Sequence, residues 1–338
     1  MINYAKIKEN YTKNRGEVMK LENYRSGEYM RMDGYKAFIL SAVNYNWSWE
    51  DEEVAKLLAE ASRQIGELNA YSKLMPNSDI YIKMLVRLEA SKSSKISGID
   101  IPIEEALLDL EDVEEEKKSD CLAVQNCIKA IGYGEKRADE GADLDSRLMK
   151  DMQKILTQGI DEDGKVQGKL RTSQKWVGKG DIQDAIYVPP PHTELVDCLT
   201  DFEKFINNNE INTPDLVKIA MLHYQFESIL PFLDGNSRIG RMIVPLYLKS
   251  KGLLDKPSLY LSDYMEQNQN KYYDCLTRVR NNSDMLGYIK FFLEMCTQSA
   301  KLTKERLMKA DKFWKEMNSK IEDIPVKPDN SIRILEAL

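Results

Sequence analysis

The residue types best suited to chemistry lie together in ILPFLDGNSRIGRMIVPLYL, residues 229–248. Asp234-Gly235-Asn236 is a turn signal, and Ser237 is a residue type that caps a following helix. The backbone N–H groups of Gly235 through Arg238 would then converge at the positive end of a helix dipole, a ready anion site. Arg238 and Arg241 are three apart, so they share one face of the first turn, and guanidinium forks suit phosphate oxygens. Positive side chains at a helix N-terminus oppose the dipole, so the pair makes more sense around an anion than as stabilisers. Asp234 is a hard oxygen ligand of the kind through which Mg²⁺ bridges nucleotide phosphates. The plainer alternative is a capped helix start with solvated arginines.

Two helices must hold this loop. Thr213-Pro214-Asp215 is a start signal, with threonine as N-cap and proline at the first helical position. LVKIAMLHYQFESI follows and should end near Pro231, and the next helix should begin at about Ser237. Phe232 is expected to anchor the loop inward, and His223, on the preceding helix, to be a core histidine.

Upstream, WEDEEVAKLLAEASRQIGELNAY sets Val54, Leu57, Leu58, Ala61, Ile65 and Leu68 on one helical face. Pro76-Asn77-Ser78-Asp79 marks a turn, IYIKMLVRLEASKS a second helix, and Ser97-Gly98 its stop. IPIEEALLDLEDV reads as a third helix, ahead of CLAVQNCIKAIGYGEKRADE. The stretch 169–191 breaks the texture with β-formers, glycines and three prolines, and reads as a β-hairpin or flap. Residues 1–40 read as a polar lead-in, and the tail from Phe291 to about residue 322 as helix. SIRILEAL then opens something further. The expectation is an all-α bundle with one β-hairpin flap.

Composition closes off several alternatives. With 338 residues the chain can bury a real core. A net charge of −7 argues against a general nucleic-acid binder. No run suits a membrane span and the N-terminus has no signal core, so a cytoplasmic protein is expected. Five cysteines, Cys121, Cys127, Cys198, Cys275 and Cys296, suit reduced core positions, and two histidines make zinc or a serine triad improbable.

FESILPFLDGNSRIGR resembles the signature of the Fic family, whose pattern is HPFx[D/E]GNGRxxR and most of whose studied members transfer AMP from ATP to a target hydroxyl. SKLMPNSDIYIKMLVRLEASKSSKISG is similar to that family's N-terminal helical module, KLRTSQKWVG with AIYVPPP to its flap, and YLSDYMEQNQNKYYDCLTRVR to its nucleotide-side helix. The likeness implies a lead-in at 1–45, the N-terminal module at 46–112 and the core at 113–300. The core would hold the flap at 169–191 and the loop at 230–241. A C-terminal helix with the start of a further module, a winged helix by expectation, would fill 301–338. It further implies ATP with Mg²⁺, the metal on Asp234. Gly235, Asn236 and Ser237 would shape the loop, Asn236 also touching phosphate. Arg238 would take the α/β phosphates and Arg241 the γ-phosphate. A protein target would dock along Thr172, Ser173, Gln174, Lys175, Trp176, Val177 and Gly178 by β-augmentation. A homodimer is among the assemblies such a scaffold allows.

Two departures decide the functional expectation. The family's catalytic histidine, its general base, falls at Leu230, and leucine cannot accept a proton. The inhibitory glutamate that members aim at the second loop arginine falls at Ser97, in Ser93-Ser94-Lys95-Ile96-Ser97-Gly98. The second loop glycine is Ser237, poorer at positive φ. The expectation is an ATP-binding relative of protein adenylyltransferases with absent or strongly reduced AMP transfer. The alternatives are an active transferase with another base, and an adaptor with a vestigial pocket.

Overall fold

The structure, a computed structural model, describes residues 18–160 and 167–322. Among these, eleven α-helices and four short strands are formed. In chain order the strands are β1 (Val18–Lys20), β2 (Gly27–Arg31), β3 (Lys36–Leu40) and β4 (Asn46–Ser48). The helices are α1 (Glu52–Leu74), α2 (Ser78–Ile96), α3 (Ile103–Ala106), α4 (Lys118–Asp139), α5 (Ser146–Leu156) and α6 (Leu195–Asn207). Then come α7 (Asp215–Ile229), α8 (Asn236–Ser250), α9 (Ser262–Gln267), α10 (Gln269–Asn282) and α11 (Met285–Glu322).

Helix α7 is the axis of the bundle. Every residue from Leu216 to Ile229 is buried, the property of a helix with neighbours on all sides. It packs against α6, α8 and α11. His223 is part of this core: its Nδ1 lies 2.9 Å from the Tyr288 hydroxyl, and burial with the nearby Arg241 charge lowers its pKa to about 3. Helix α1 begins where the Asp51 carboxylate accepts from the amides of Glu53 and Val54, and lies along α11. Its Val54, Ala61, Ile65 and Leu68 are buried, with Leu57 and Leu58 partly so. Helix α2 lies against α4, α8 and α9, which brings its C-terminal end to the start of α8, where Arg241 meets Ser93 and Ser97. All five cysteines are free and buried.

Three elements differ from expectation. The stretch read as a third amphipathic helix forms one turn, α3, followed by short 3₁₀ turns. Five carboxylates within Glu104–Asp112 leave it without a continuous apolar face to bury. Residues 18–48, which span most of the expected lead-in and the first residues of the expected N-terminal module, carry the four strands. β1 pairs parallel to β4 and β2 antiparallel to β3, and Phe38, Leu40 and Val43 join the main core. The flap is closed by a single antiparallel bridge, Val177 to Tyr187, in place of a regular ladder. Helix α11 covers the expected tail to Glu322, while SIRILEAL and residues 1–17 lie outside the described residues.

Candidate phosphate-binding site

The loop leaves α7 through an unusual residue. Leu230 stands at φ 45°, ψ 64°, in the left-handed region, and its side chain is buried. For a leucine this conformation costs roughly 1–2 kcal/mol, so the surroundings must impose it. Arg171 does so. Its Nε donates to the Leu230 carbonyl at 2.9 Å, and its Nη2 donates to the carbonyls of Pro190 at 2.5 Å and Ile229 at 3.4 Å. Its own amide donates to the Pro231 carbonyl. Burial lowers the Arg171 pKa only to about 10, so it stays charged at neutral pH.

Beyond Leu230 the chain is tied at each residue. The Asn236 side chain accepts from the Phe232 amide at 2.8 Å and donates to the Phe232 carbonyl at 2.7 Å, closing the loop on itself. Phe232 is buried in the core. Lys175 Nζ donates to the Leu233 carbonyl at 2.6 Å. Gln153 Nε2 donates to the Asp234 carbonyl at 3.2 Å, while its Oε1 accepts from the Gly168 amide. Gly235 caps α8 at φ 80°, and a Cβ there would lie 2.8 Å from Leu156 Cδ2, so both conformation and space require glycine.

Ser237 does not cap the helix. It lies inside the first turn of α8, and its hydroxyl donates to Glu227 Oε2 at 2.8 Å. Helical φ suits serine, so this departure from glycine carries no backbone penalty. Thr213 likewise is not a cap: Pro214 holds that position in α7, and the Thr213 hydroxyl accepts from the Trp47 amide. Burial raises the Glu227 carboxyl above its ordinary pKa, against the opposing charge of Arg241.

The two arginines are held differently. Arg238 is buried, yet its Nε and Nη1 have no partner, and its Nη2 reaches Asp234 Oδ2 at only 3.4 Å. A buried guanidinium with idle donors is costly unless an anion completes it. Arg241 is also buried but engaged: Nε donates to Ser93 Oγ at 2.8 Å, and Nη2 to the Ser93 carbonyl at 2.8 Å and Ser97 Oγ at 3.3 Å. Ser97 therefore does stand against the second loop arginine, as a neutral group. Asp234 keeps its side chain 44 % exposed beside this cradle. No group of three or more metal-ligating side chains occurs among the described residues. One carboxylate plus phosphate oxygens and waters is a donor set that fits Mg²⁺ carried by a nucleotide.

The structure thus brings Asp234, Gly235, Asn236, Arg238, Arg241 and Ser97 to one place. It sets the flap residues Lys175 beside them and Thr172, Ser173, Trp176, Val177 and Gly178 at the exposed surface, with Gln174 half-buried and bonded to the Pro189 carbonyl. Sequence reasoning missed Arg171, Gln153, Glu227 and Ser93 as functional positions. Nothing local in the sequence singles them out, since their bonds reach other segments of the chain.

A helical bundle that presents a tightly held loop at a helix N-terminus, with a flap beside it, is the class of scaffold this geometry defines. The chain belongs to the Fic/DOC family: the family's N-terminal model matches residues 55–136 and its central model residues 143–248. The chain is 32% identical over 132 residues to "Protein adenylyltransferase Fic" of Aedes aegypti, covering 39% of this chain and 23% of that one. The corresponding protein of Drosophila erecta is 30% identical over 132 residues, 39% of this chain and 24% of that one. The chain thus spans about a quarter of the length of these curated relatives. Among solved structures, a Fic family protein from Desulfovibrio desulfuricans superposes with a TM-score of 0.62 at 20% identity, covering 76% of this chain and 75% of that one. A fragment of Fic-1 from C. elegans gives 0.60 at 16%, covering 76% and 74%. These two likenesses concern the fold.

Proposed function

We propose that the cradle binds ATP with Mg²⁺ and that this chain transfers AMP very weakly or not at all. The observation that carries the reading is Arg238, a buried guanidinium with two idle donor nitrogens at the N-terminus of α8 beside the half-exposed Asp234. The α8 amides and Arg238 would hold the phosphates nearest the loop, and Asp234 the magnesium that neutralises them. Arg241 would reach the terminal phosphate once released from Ser93 and Ser97. At the position where a base should take the acceptor's proton stands Leu230, buried and unable to accept one.

Calorimetric titration with ATP·Mg²⁺ tests the first half. Binding is expected, and Arg238→Ala or Asp234→Ala should weaken it about tenfold or more, since a hydrogen bond to a charged group contributes roughly 1.5–3 kcal/mol. Unchanged affinity in both variants would overturn the cradle. Incubation with α-labelled ATP tests the second half: the chain should label neither itself nor lysate proteins, and Leu230→His should begin to.

A further inference from the structure

A second concavity, of about 680 Å³, lies between the β2–β3 hairpin and the distal limb of the flap. Tyr29, Arg31, Tyr35, Lys36, Ile182 and Ile186 are the side chains that shape it. The Phe38 amide donates to the Val188 carbonyl at 2.9 Å, which docks this limb of the flap on β3. The groove is therefore continuous with the flap and built on paired backbone.

Its charges are unusual. Arg31 stands directly opposite Lys36 in the antiparallel ladder, an arrangement that repels. Neither makes an ion pair among the described residues, and no aspartate or glutamate lines the groove. Tyr187, a buried residue of the wall, carries the Arg280 guanidinium 3.7 Å from its ring, with the Arg280 Nε buried and without a hydrogen-bond partner. The nearest carboxylates in sequence, Glu28, Asp33, Asp181 and Asp184, are exposed and outside the wall. In a chain of net charge −7, a groove wall that carries Arg31 and Lys36 and no carboxylate opposes the overall balance. Apolar surface accompanies them: Ile186 is 76 % exposed and Tyr29 43 %.

We infer that this groove docks an extended, acidic segment of a protein partner. Its carboxylates would sit between Arg31 and Lys36, relieving their repulsion, and an apolar side chain would cover Ile186 and Tyr29. Because the flap forms one wall, the segment would run beside whatever hydroxyl approaches the phosphate loop. In that respect the inference rests on the proposed function, while the docking itself needs no nucleotide.

Fluorescence anisotropy with two labelled peptides tests it: alternating glutamate and valine around one threonine, and the same peptide with lysine for glutamate. The acidic peptide should bind at least about tenfold more tightly, and less so at high salt. The double change Arg31→Glu with Lys36→Glu should remove that binding, and so should Ile186→Asp, an exposed position where folding is not at stake. ATP·Mg²⁺ titrations should be unaffected in both variants. Equal binding of the two peptides, unaltered binding by the variants, or tighter binding of single-stranded DNA than of the acidic peptide would each overturn the inference. Peptide binding without ATP binding would instead sink the nucleotide reading and leave the groove intact.

Discussion

At the scale of single residues, Leu230 joins two facts. Its side chain has no proton chemistry, and its backbone holds a left-handed conformation that leucine disfavours. Histidine visits that region several-fold more readily than most residues, so the backbone suits the residue that is missing better than the one present. Leu230→His should therefore change stability by less than about 1.5 kcal/mol in urea unfolding, the volume and backbone gains offsetting a polar ring in an apolar site. In that background the neutral contact between Ser97 and Arg241 becomes testable. Ser97→Glu places a carboxylate against the guanidinium and should lower AMP labelling about tenfold or more, since about 1.4 kcal/mol is a factor of ten. Ser97→Gln, of nearly the same shape and uncharged, should inhibit far less. Equal labelling by all three proteins would mean that α2 exerts no electrostatic hold on the loop.

At the scale of elements, the loop is rigid because side chains from other segments grip its carbonyls. Gln153 reaches it from α5, Lys175 from the flap, and Arg171 from the root of the flap. Arg171 matters most, because it serves Ile229, Leu230 and Pro190 at once. Arg171→Ala would leave those buried carbonyls without donors and should destabilise the fold by about 3 kcal/mol or more. Arg171→Lys should recover only part of this, since an ammonium cannot present the planar fork that spans several carbonyls. Urea midpoints measure both, and a change below about 1 kcal/mol in Arg171→Ala would show that the loop holds its shape unaided.

At the scale of the whole molecule, a buried carboxyl links the N-terminal helix α2 to α9. Glu89, on α2, accepts from the Ser262 hydroxyl at 2.5 Å and from the Ser262 amide at 3.2 Å at the start of α9. Burial raises its pKa from 4.5 to about 7, against the favourable hydrogen bonds from Ser262 and the Arg241 charge. The folded state thus binds this proton more tightly than the unfolded chain. Its contribution is complete below about pH 4.5 and is lost as pH rises through about 7. Glu89→Gln keeps the shape without titrating. Relative to that variant, the wild type should lose about 3 kcal/mol of unfolding free energy between roughly pH 5 and pH 7.5. Asp201, raised to about 6 by burial, and His223 act equally in both proteins and cancel in the comparison. Parallel pH profiles would show that Glu89 is solvated in the folded state.

The sequence by itself determined the elements and the chemistry-bearing loop. Apolar period, turn residues and start signals are local properties, and they placed α1, α2, α4 and α7, the start of α8 and the end of α11 within a few residues of those observed. Asp234, Asn236, Arg238 and Arg241 were legible as candidates for the same reason, since a turn signal and the helix start that follows it set them close together. The tertiary structure decided what each arginine can do. Arg238 and Arg241 look alike in sequence, but only packing leaves one with idle donors and gives the other to Ser93, 148 positions earlier. It also decided that Ser237 bonds Glu227 instead of capping, and that residues 18–48 form strands, because pairing partners and burial are non-local. Arg171 shows the limit most plainly: nothing in its neighbours announces that its guanidinium will meet carbonyls some sixty positions away.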